Sequence, residues 1–300
     1  MPTPAPQPAS IGGDEAFWRA AALYRTLAAF PPTRGFAKRR FADLGRALPS
    51  ATALPGVLAG IPVTLDLRDP CDRDAYLFGG NDPRGVGAIV EVMKRLGCRT
   101  AWDVGANRGN HTAFMRQHCQ RLFAFEPNPA EFIRVETLFA GDAGVVPLNV
   151  GLSFTDGVLP FHIQPDISGG SSFELEGRAA NFEAKVRTGD AVASEHGLSD
   201  IDFLKIDVEG HETAVLRGLA DVIRTQRPVI ILELLEANNR PDAGLEALMP
   251  GYRFFGNRIG FVSSLIRTAY SFCPFEYGRA YMSALFVPEE KLGLLADLLP

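Results

Sequence analysis

The run Ala101-Trp102-Asp103-Val104-Gly105-Ala106-Asn107-Arg108-Gly109-Asn110-His111 constrains this chain more than any other. Thr100 to Val104 is an apolar stretch of strand length, and the residues from about Asn110 to His118 carry a helical pattern. Between them, Gly105 permits a tight turn with positive φ, and Gly109 allows close approach of backbone to a ligand or of helix to strand. A strand that turns into a helix within so few residues is the first half of a βα unit and directs the chain toward a parallel sheet. The free N–H groups at the helix start suit a carboxylate or phosphate. The loop is not a G-x-G-x-x-G fingerprint, because Asn107 takes the place of the second glycine.

Alternation continues downstream. Strands are expected at Arg121–Phe125, Val145–Ser153, Ile201–Asp207, Pro228–Leu235, Tyr252–Phe255 and Ala280–Val287, and helices at Pro129–Ala140 and His211–Leu219. Asp156-Gly157 signals a turn, which makes Val158–Ile163 a hairpin partner, and the Gly- and Ser-rich 165–190 reads as an irregular insertion. Upstream, helices are expected at 14–30 and 36–48, short strands at 56–68 around Pro62, and a helix from Pro83 to Leu96. The expectation is an α/β fold, a mostly parallel sheet with helices on both faces and an antiparallel addition at its end. A length of 300 residues suggests about two domains. One sheet running from about 84 to 287 assigns the excess instead to a disordered tail at 1–13, an extension or cap at 14–83 and one catalytic domain at 84–300.

Composition narrows the class. A net charge of −5 lacks the basic footprint of a nucleic-acid binder, and 46% hydrophobic with 10% aromatic residues argues against disorder. No apolar run reaches the roughly 18 residues of a membrane span, and the Pro- and Ala-rich start lacks the pattern of a signal peptide. Cysteines 71, 98, 119 and 273 show no ligand spacing and read as reduced thiols of a cytoplasmic protein.

Two acids sharpen the loop. Asp103 ends the first strand beside it, where it repels a pyrophosphate and attracts a cationic amino group. Glu126 ends the next strand, where a carboxylate accepts ribose hydroxyls. An adenosine joined to an amino acid meets both demands, and S-adenosylmethionine is such a molecule. The segments Asp103–Gly109, Phe125-Glu126-Pro127-Asn128-Pro129, Asn149-Val150-Gly151-Leu152-Ser153, Asp202–Glu212, Leu216-Arg217-Gly218 and Pro228–Glu233 together resemble the FkbM-type family of S-adenosylmethionine-dependent methyltransferases. Lys205-Ile206-Asp207-Val208-Glu209-Gly210 is the most specific element, and the likeness runs from about Asp82 to Glu236. The resemblance implies a class I methyltransferase fold, Rossmann-like, with a mostly parallel seven-stranded sheet and one antiparallel strand. It also implies methylation of hydroxyl oxygens on sugars or secondary metabolites. Thr188-Gly189-Asp190 departs from the family's usual Leu-Asp-Asp, and Asn81-Asp82-Pro83 from its commoner Glu-Pro.

The candidate cofactor residues are therefore Asp103, Gly105, Ala106, Asn107, Gly109, Asn110, His111, Glu126, Pro127, Asn149, Ser153 and Asp207. Methyl transfer is an in-line displacement aided by removal of the acceptor's proton. Glu209 and His211 are candidates for that base or for acceptor binding, Asp207 for contact with the cofactor, and Lys205 for pairing with a carboxylate to fix the site. Each has a plainer reading: a helix cap for Asp207, a first-turn charge for Glu209, a half-buried polar residue for His211 and a strand-end charge for Lys205. Asp207 and Glu233 with Asn238 or Asn239 also form an oxygen donor set for Mg²⁺. Tyr252, Phe254, Phe255, Phe261, Tyr270, Phe272, Phe275 and Tyr277 suit an acceptor-pocket wall or the packing of a terminal hairpin. The segment 14–80 suits a cap over the acceptor or a homodimer contact, and its Lys38-Arg39-Arg40 cluster suits a solvated face or an anionic surface. An NAD(P)-dependent oxidoreductase and a non-catalytic binding protein of the same fold remain the alternatives.

Overall fold

The computed structural model describes residues 15–29, 33–46, 53–80, 83–164, 168–175, 177–233, 244–258, 271–276, 281 and 283–300. The expected disordered tail at 1–13 lies outside them. The chain begins with α1 (Glu15–Ala29) and α2 (Arg34–Arg46), then the hairpin β1 (Ala53–Leu58) and β2 (Ile61–Asp66), then α3 (Pro70–Phe78). These elements share a small core of Ala21, Ala28, Ala37, Phe41, Leu65, Leu67, Ala75 and Leu77. Helix α3 was not expected from the sequence, yet its signals are local. Asp69 caps it by accepting from the Cys71 and Asp72 N–H groups, Pro70 opens it, and Gly79 closes it at φ 78°.

The main layer follows: α4 (Pro83–Leu96), β3 (Thr100–Val104), α5 (Asn110–Arg116), β4 (Arg121–Phe125), α6 (Pro129–Leu138) and β5 (Val145–Leu148). Next come β6 (Gly151–Leu152), β7 (Gly157–Phe161), β8 (Phe182–Arg187), α7 (Gly189–Glu195) and β9 (Ile201–Ile206). The chain ends with α8 (Glu212–Arg217), α9 (Ala220–Gln226), β10 (Val229–Glu233), α10 (Leu245–Leu248), β11 (Tyr252–Arg258), β12 (Ser271–Pro274) and β13 (Ser283–Pro288).

Eight of these strands form one sheet in the order β12-β11-β13-β10-β9-β3-β4-β5. The run from β10 to β5 is parallel throughout. Strand β13 runs antiparallel between β10 and β11, which gives the expected seven strands with one reversed. Strand β12 adds an eighth by pairing antiparallel with β11. Apolar residues cover both faces, one around Val92, Met93, Leu122 and Phe203, the other around Trp102, Phe125, Leu204 and Phe286. That is why the inner strands read as mostly apolar runs, with Asp103 of β3 and Lys205 of β9 set opposite each other as exceptions.

The expected third strand, Val145–Ser153, divides in two. Strand β5 stays at the edge of the main sheet, and β6 leaves it for a separate three-stranded sheet. There the order is β6-β8-β7, so the expected hairpin partner of β6 pairs instead with β8. The 165–190 stretch is thus not wholly irregular: Ala184 and Val186 of β8 point inward while Glu183 and Lys185 point out. Among the described residues, no helix is long and apolar enough to cross a membrane.

Strand order reverses between β3 and β9, so a crevice opens at their carboxyl ends. Phe203 lies under this point, fully buried in one of the two cores. Phe203→Ala should destabilise the fold by about 3–5 kcal/mol, measured as a lower urea midpoint at unchanged slope.

Candidate active site

The crevice is built on one close approach. Asp207 N–H donates to the Val104 carbonyl, and a Cβ on Gly105 would stand 1.8 Å from the Asp207 carbonyl oxygen. Gly105 also sits at φ 80°, so no other residue fits there. Gly105 N–H and Ala106 N–H both donate to the Phe125 carbonyl, which folds the loop over the end of β4. Gly109 precedes α5 at φ 82° and packs against Leu138 and Phe139 of the neighbouring segment.

A cleft runs from this point, lined by Gly105, Asn107, Glu126, Pro127, Asp207 and Glu209. Apolar walls come from Val104, Phe125, Leu152, Phe161, Phe173 and Val208, and Ser168, Gly169 and Ser171 cover it. Six of the candidate residues thus converge on one cleft. The cover and Phe173 were not singled out from the sequence, because a Gly- and Ser-rich stretch carries no periodicity.

Glu126 is 6% exposed, and its two oxygens accept from Asn107 N–H at 2.7 Å and Asn128 N–H at 2.8 Å. Burial pushes its carboxyl up to about 7, against the pull of these two N–H groups. The Oδ1 of Asn107 is buried and has no hydrogen-bond partner among the described residues. Asn107 and Glu209 hold φ of 48° and 53°, strained values for residues with a side chain, and both line the cleft.

Beneath the cleft lies a buried ion cluster. Lys205, 2% exposed, donates to the Gly105 carbonyl at 2.9 Å and lies 3.0 Å from Asp103 Oδ1 and 3.3 Å from Asp207 Oδ2. Burial works to discharge Lys205, but Asp103, Asp207 and Glu233 outweigh it and hold its ammonium above the ordinary lysine range. Burial likewise opposes the charge on Asp207. Lys205, His111 and a hydrogen bond with Glu233 prevail and keep that carboxyl below its usual range. His111, Lys205 and Glu233 share a small second cavity with Gly85, Ile89, Ile231 and Ser283. Glu209 behaves oppositely. Burial, then the Asp207 and Glu212 carboxylates, push it up to about 8.

Several expectations need correction. Asp103 does not face the cleft: it is fully buried, and Thr112 Oγ1 donates to its Oδ2 at 2.6 Å while Lys205 takes Oδ1. Its charge reaches a ligand only through Lys205. His211 is not free to act as a base. Its Nε2 lies 2.9 Å from Ser153 Oγ and its Nδ1 2.8 Å from Glu174 Oε1, with Phe173 against its ring. Ser153 is fully buried and, like Asn149, does not line the cleft, and Asn149 donates to the Glu126 and Pro127 carbonyls. Asn110 is buried at the start of α5, and neither it nor Ala106 lines the cleft. Among the described residues no three His, Cys, Asp or Glu side chains form a metal-binding group. Asn238, Asn239, Phe261, Tyr270 and Tyr277 lie outside the described residues.

Residues 103–259 match the model of the Methyltransferase FkbM domain, just over half of the chain. Over 132 residues the chain is 33% identical to the hexuronic acid methyltransferase AglP of Haloferax volcanii, covering 43% of this chain and 54% of that protein. It therefore spans about half the length of that relative. It is 31% identical over 179 residues to the methyltransferase sdnD of Sordaria araneosa, covering 45% of this chain and 69% of that one. Among solved structures, it is similar to methyltransferase FkbM of Methylobacillus flagellatus KT, with TM-score 0.41 and 14% identity. That match covers 63% of this chain and 43% of the other.

The raised Glu209 carboxyl has a consequence for stability. An unfolded glutamate ionises near 4.5, whereas the fold keeps Glu209 protonated up to about 8. The folded state binds the extra proton, so this contribution is complete below pH 4.5 and is lost as pH rises through about 8. Thermal unfolding across that window should show the melting temperature falling with pH, and Glu209→Gln should flatten the fall. An unchanged slope would mean Glu209 ionises normally.

Proposed function

The chain belongs to the FkbM methyltransferase family, and on that premise we propose that it transfers the methyl group of S-adenosylmethionine to a hydroxyl oxygen of a sugar. The observation that carries the cofactor is the cleft itself. Its carboxyl and amide side chains offer acceptors, namely the Glu126 carboxylate, Asn107 Oδ1, which has no partner among the described residues, Asp207 and Glu209, and the Ser168 and Ser171 hydroxyls lie beside them. Its other walls are apolar and aromatic. A nucleoside needs acceptors for its ribose hydroxyls and a flat apolar slot for its base, and a sulfonium needs negative charge nearby. The residues present fit all three. They fit a dinucleotide poorly, since its pyrophosphate would lie beside the ionised Asp207.

Glu126 would hold the ribose. Each oxygen accepts one N–H and keeps a lone pair directed elsewhere, so the carboxylate is oriented before any hydroxyl arrives. Leu152, Phe161 and Phe173 would flank the adenine. Asp207, kept ionised by Lys205, would meet the cationic end. Bound there, the cofactor supplies an electrophilic methyl group on a positively charged sulfur. Glu209 stands at the same end of the cleft, and its carboxyl, ionising as pH rises toward and through about 8, can then take the acceptor hydroxyl's proton. Its left-handed backbone fixes the side chain's direction at the loop after β9.

The sugar acceptor rests on the relative from Haloferax volcanii, whose name states a hexuronic acid substrate. Calorimetric titration with S-adenosylmethionine, S-adenosylhomocysteine and NAD should give heat with the first two only. Binding of NAD alone would overturn the reading. Glu126→Ala should weaken cofactor binding by about tenfold or more, as loss of hydrogen bonds to a charged group implies. With radiolabelled cofactor and a panel of sugars, Glu209→Gln should lower turnover roughly a hundredfold with little change in cofactor affinity. Equal turnover would remove Glu209 from the role of base.

A further inference from the structure

Outside the residues matched by the family model, one buried carboxylate touches both halves of the cleft. Asp69, 5% exposed, lies in the turn between β2 and α3. Its Oδ1 caps α3 through Cys71 N–H at 2.8 Å and Asp72 N–H at 3.3 Å. Its Oδ2 accepts from Ser168 N–H at 3.0 Å and lies 3.3 Å from the Arg108 guanidinium. Ser168 begins the segment that covers the cleft, and Arg108 follows Asn107 in the loop that forms its floor.

Arg108 is the loop's anchor. Its guanidinium also pairs with Asp72 at 2.7 Å and Glu131 at 3.1 Å, and Arg134 joins the same cluster through Asp72 at 3.0 Å. The residue it anchors is the strained Asn107, whose N–H holds Glu126 and whose Oδ1 has no partner among the described residues. At the far end the cover is held separately: Glu174 pairs with His211, and Ser172 Oγ donates to the Glu209 carbonyl at 2.7 Å. The cover is thus tied at one end to the loop after β9 and at the other to Asp69.

We infer that Asp69 is a positioning residue for cofactor binding, setting the spacing between the floor loop and the cover through its joint hold on Arg108 and Ser168. The turn before α3, within the 14–80 segment expected to cap the acceptor or form a dimer contact, then supports the cofactor site. This inference rests on the reading of the cleft as an S-adenosylmethionine site. It assigns Asp69 no contact with the cofactor and no step in the chemistry.

The test is Asp69→Asn in the full chain. The amide keeps an oxygen that can cap α3 but loses the charge facing Arg108 and cannot serve both sides as an acceptor. Calorimetric titration with S-adenosylhomocysteine should show affinity weakened about tenfold, the loss expected for one charge-assisted hydrogen bond. The KM for S-adenosylmethionine should rise by a similar factor while kcat changes much less. Hydrogen exchange at the Ser168 amide should speed up. Should that variant fail to fold, Arg108→Lys keeps the charge, loses the fork that spans the cluster, and should weaken affinity comparably. Wild-type affinity in a folded variant would overturn the inference, as would a melting temperature lowered with affinity unchanged. Failure of the wild-type protein itself to bind S-adenosylhomocysteine would instead overturn the functional reading.

Discussion

One buried ammonium organises the centre of this molecule. Lys205 on β9 stands directly across from Asp103 on β3, at the pair of strands where the sheet's order reverses. A charge in such a place costs far more in desolvation than one partner returns. Here it has Asp103, Asp207 and the Gly105 carbonyl, and the neighbouring Thr112 hydroxyl completes Asp103. The cluster therefore ties the first turn of the cofactor loop to the end of the fourth parallel strand. That tie explains why Gly105 can approach Asp207 so closely and why the crevice opens where it does.

The same cluster divides the acids of the site by role. Asp103 is consumed by the fold. Asp207 is held ionised at the cleft, while Glu209, two residues on, lies beyond the reach of a direct pair with Lys205 and carries the cost of burial beside another carboxylate. Two carboxyls in one loop thus differ in protonation near neutral pH, which is what a site needs if one is to attract a cation and the other to exchange a proton. Glu126, on the adjacent strand, is steered by backbone N–H groups rather than by a cation, which leaves it an acceptor with a fixed direction.

Much of this was legible in the sequence where glycine and proline punctuate apolar runs. The bounds of β3 and α4 match the expected ones because Pro83, Gly97 and the 105–109 loop delimit them, and those of β4 match as well. The same kind of signal marks α3 at Asp69, Pro70 and Gly79, and alternation marks β8 in Phe182–Arg187, both outside the elements expected from the sequence. Other features had no local signal. Nothing near His211 tells that Ser153 and Glu174 occupy its two nitrogens, because both partners come from distant segments. Strand β6 continues the apolar pattern of β5, so the break at Asn149, where the side chain turns back to the Glu126 carbonyl, is a tertiary decision. Asp103 reads as a ligand-facing strand-end acid, and only the pairing register with Lys205 shows that it is sealed.

The most direct test of the account is a crystal structure of the protein with S-adenosylhomocysteine bound. The expected result is ribose hydroxyls on the Glu126 carboxylate, adenine between the wall carrying Leu152 and the cover carrying Phe173, and the amino-acid end above Gly105 and Asp207. An adenosine bound elsewhere, or in this cleft with its ribose turned away from Glu126, would contradict it.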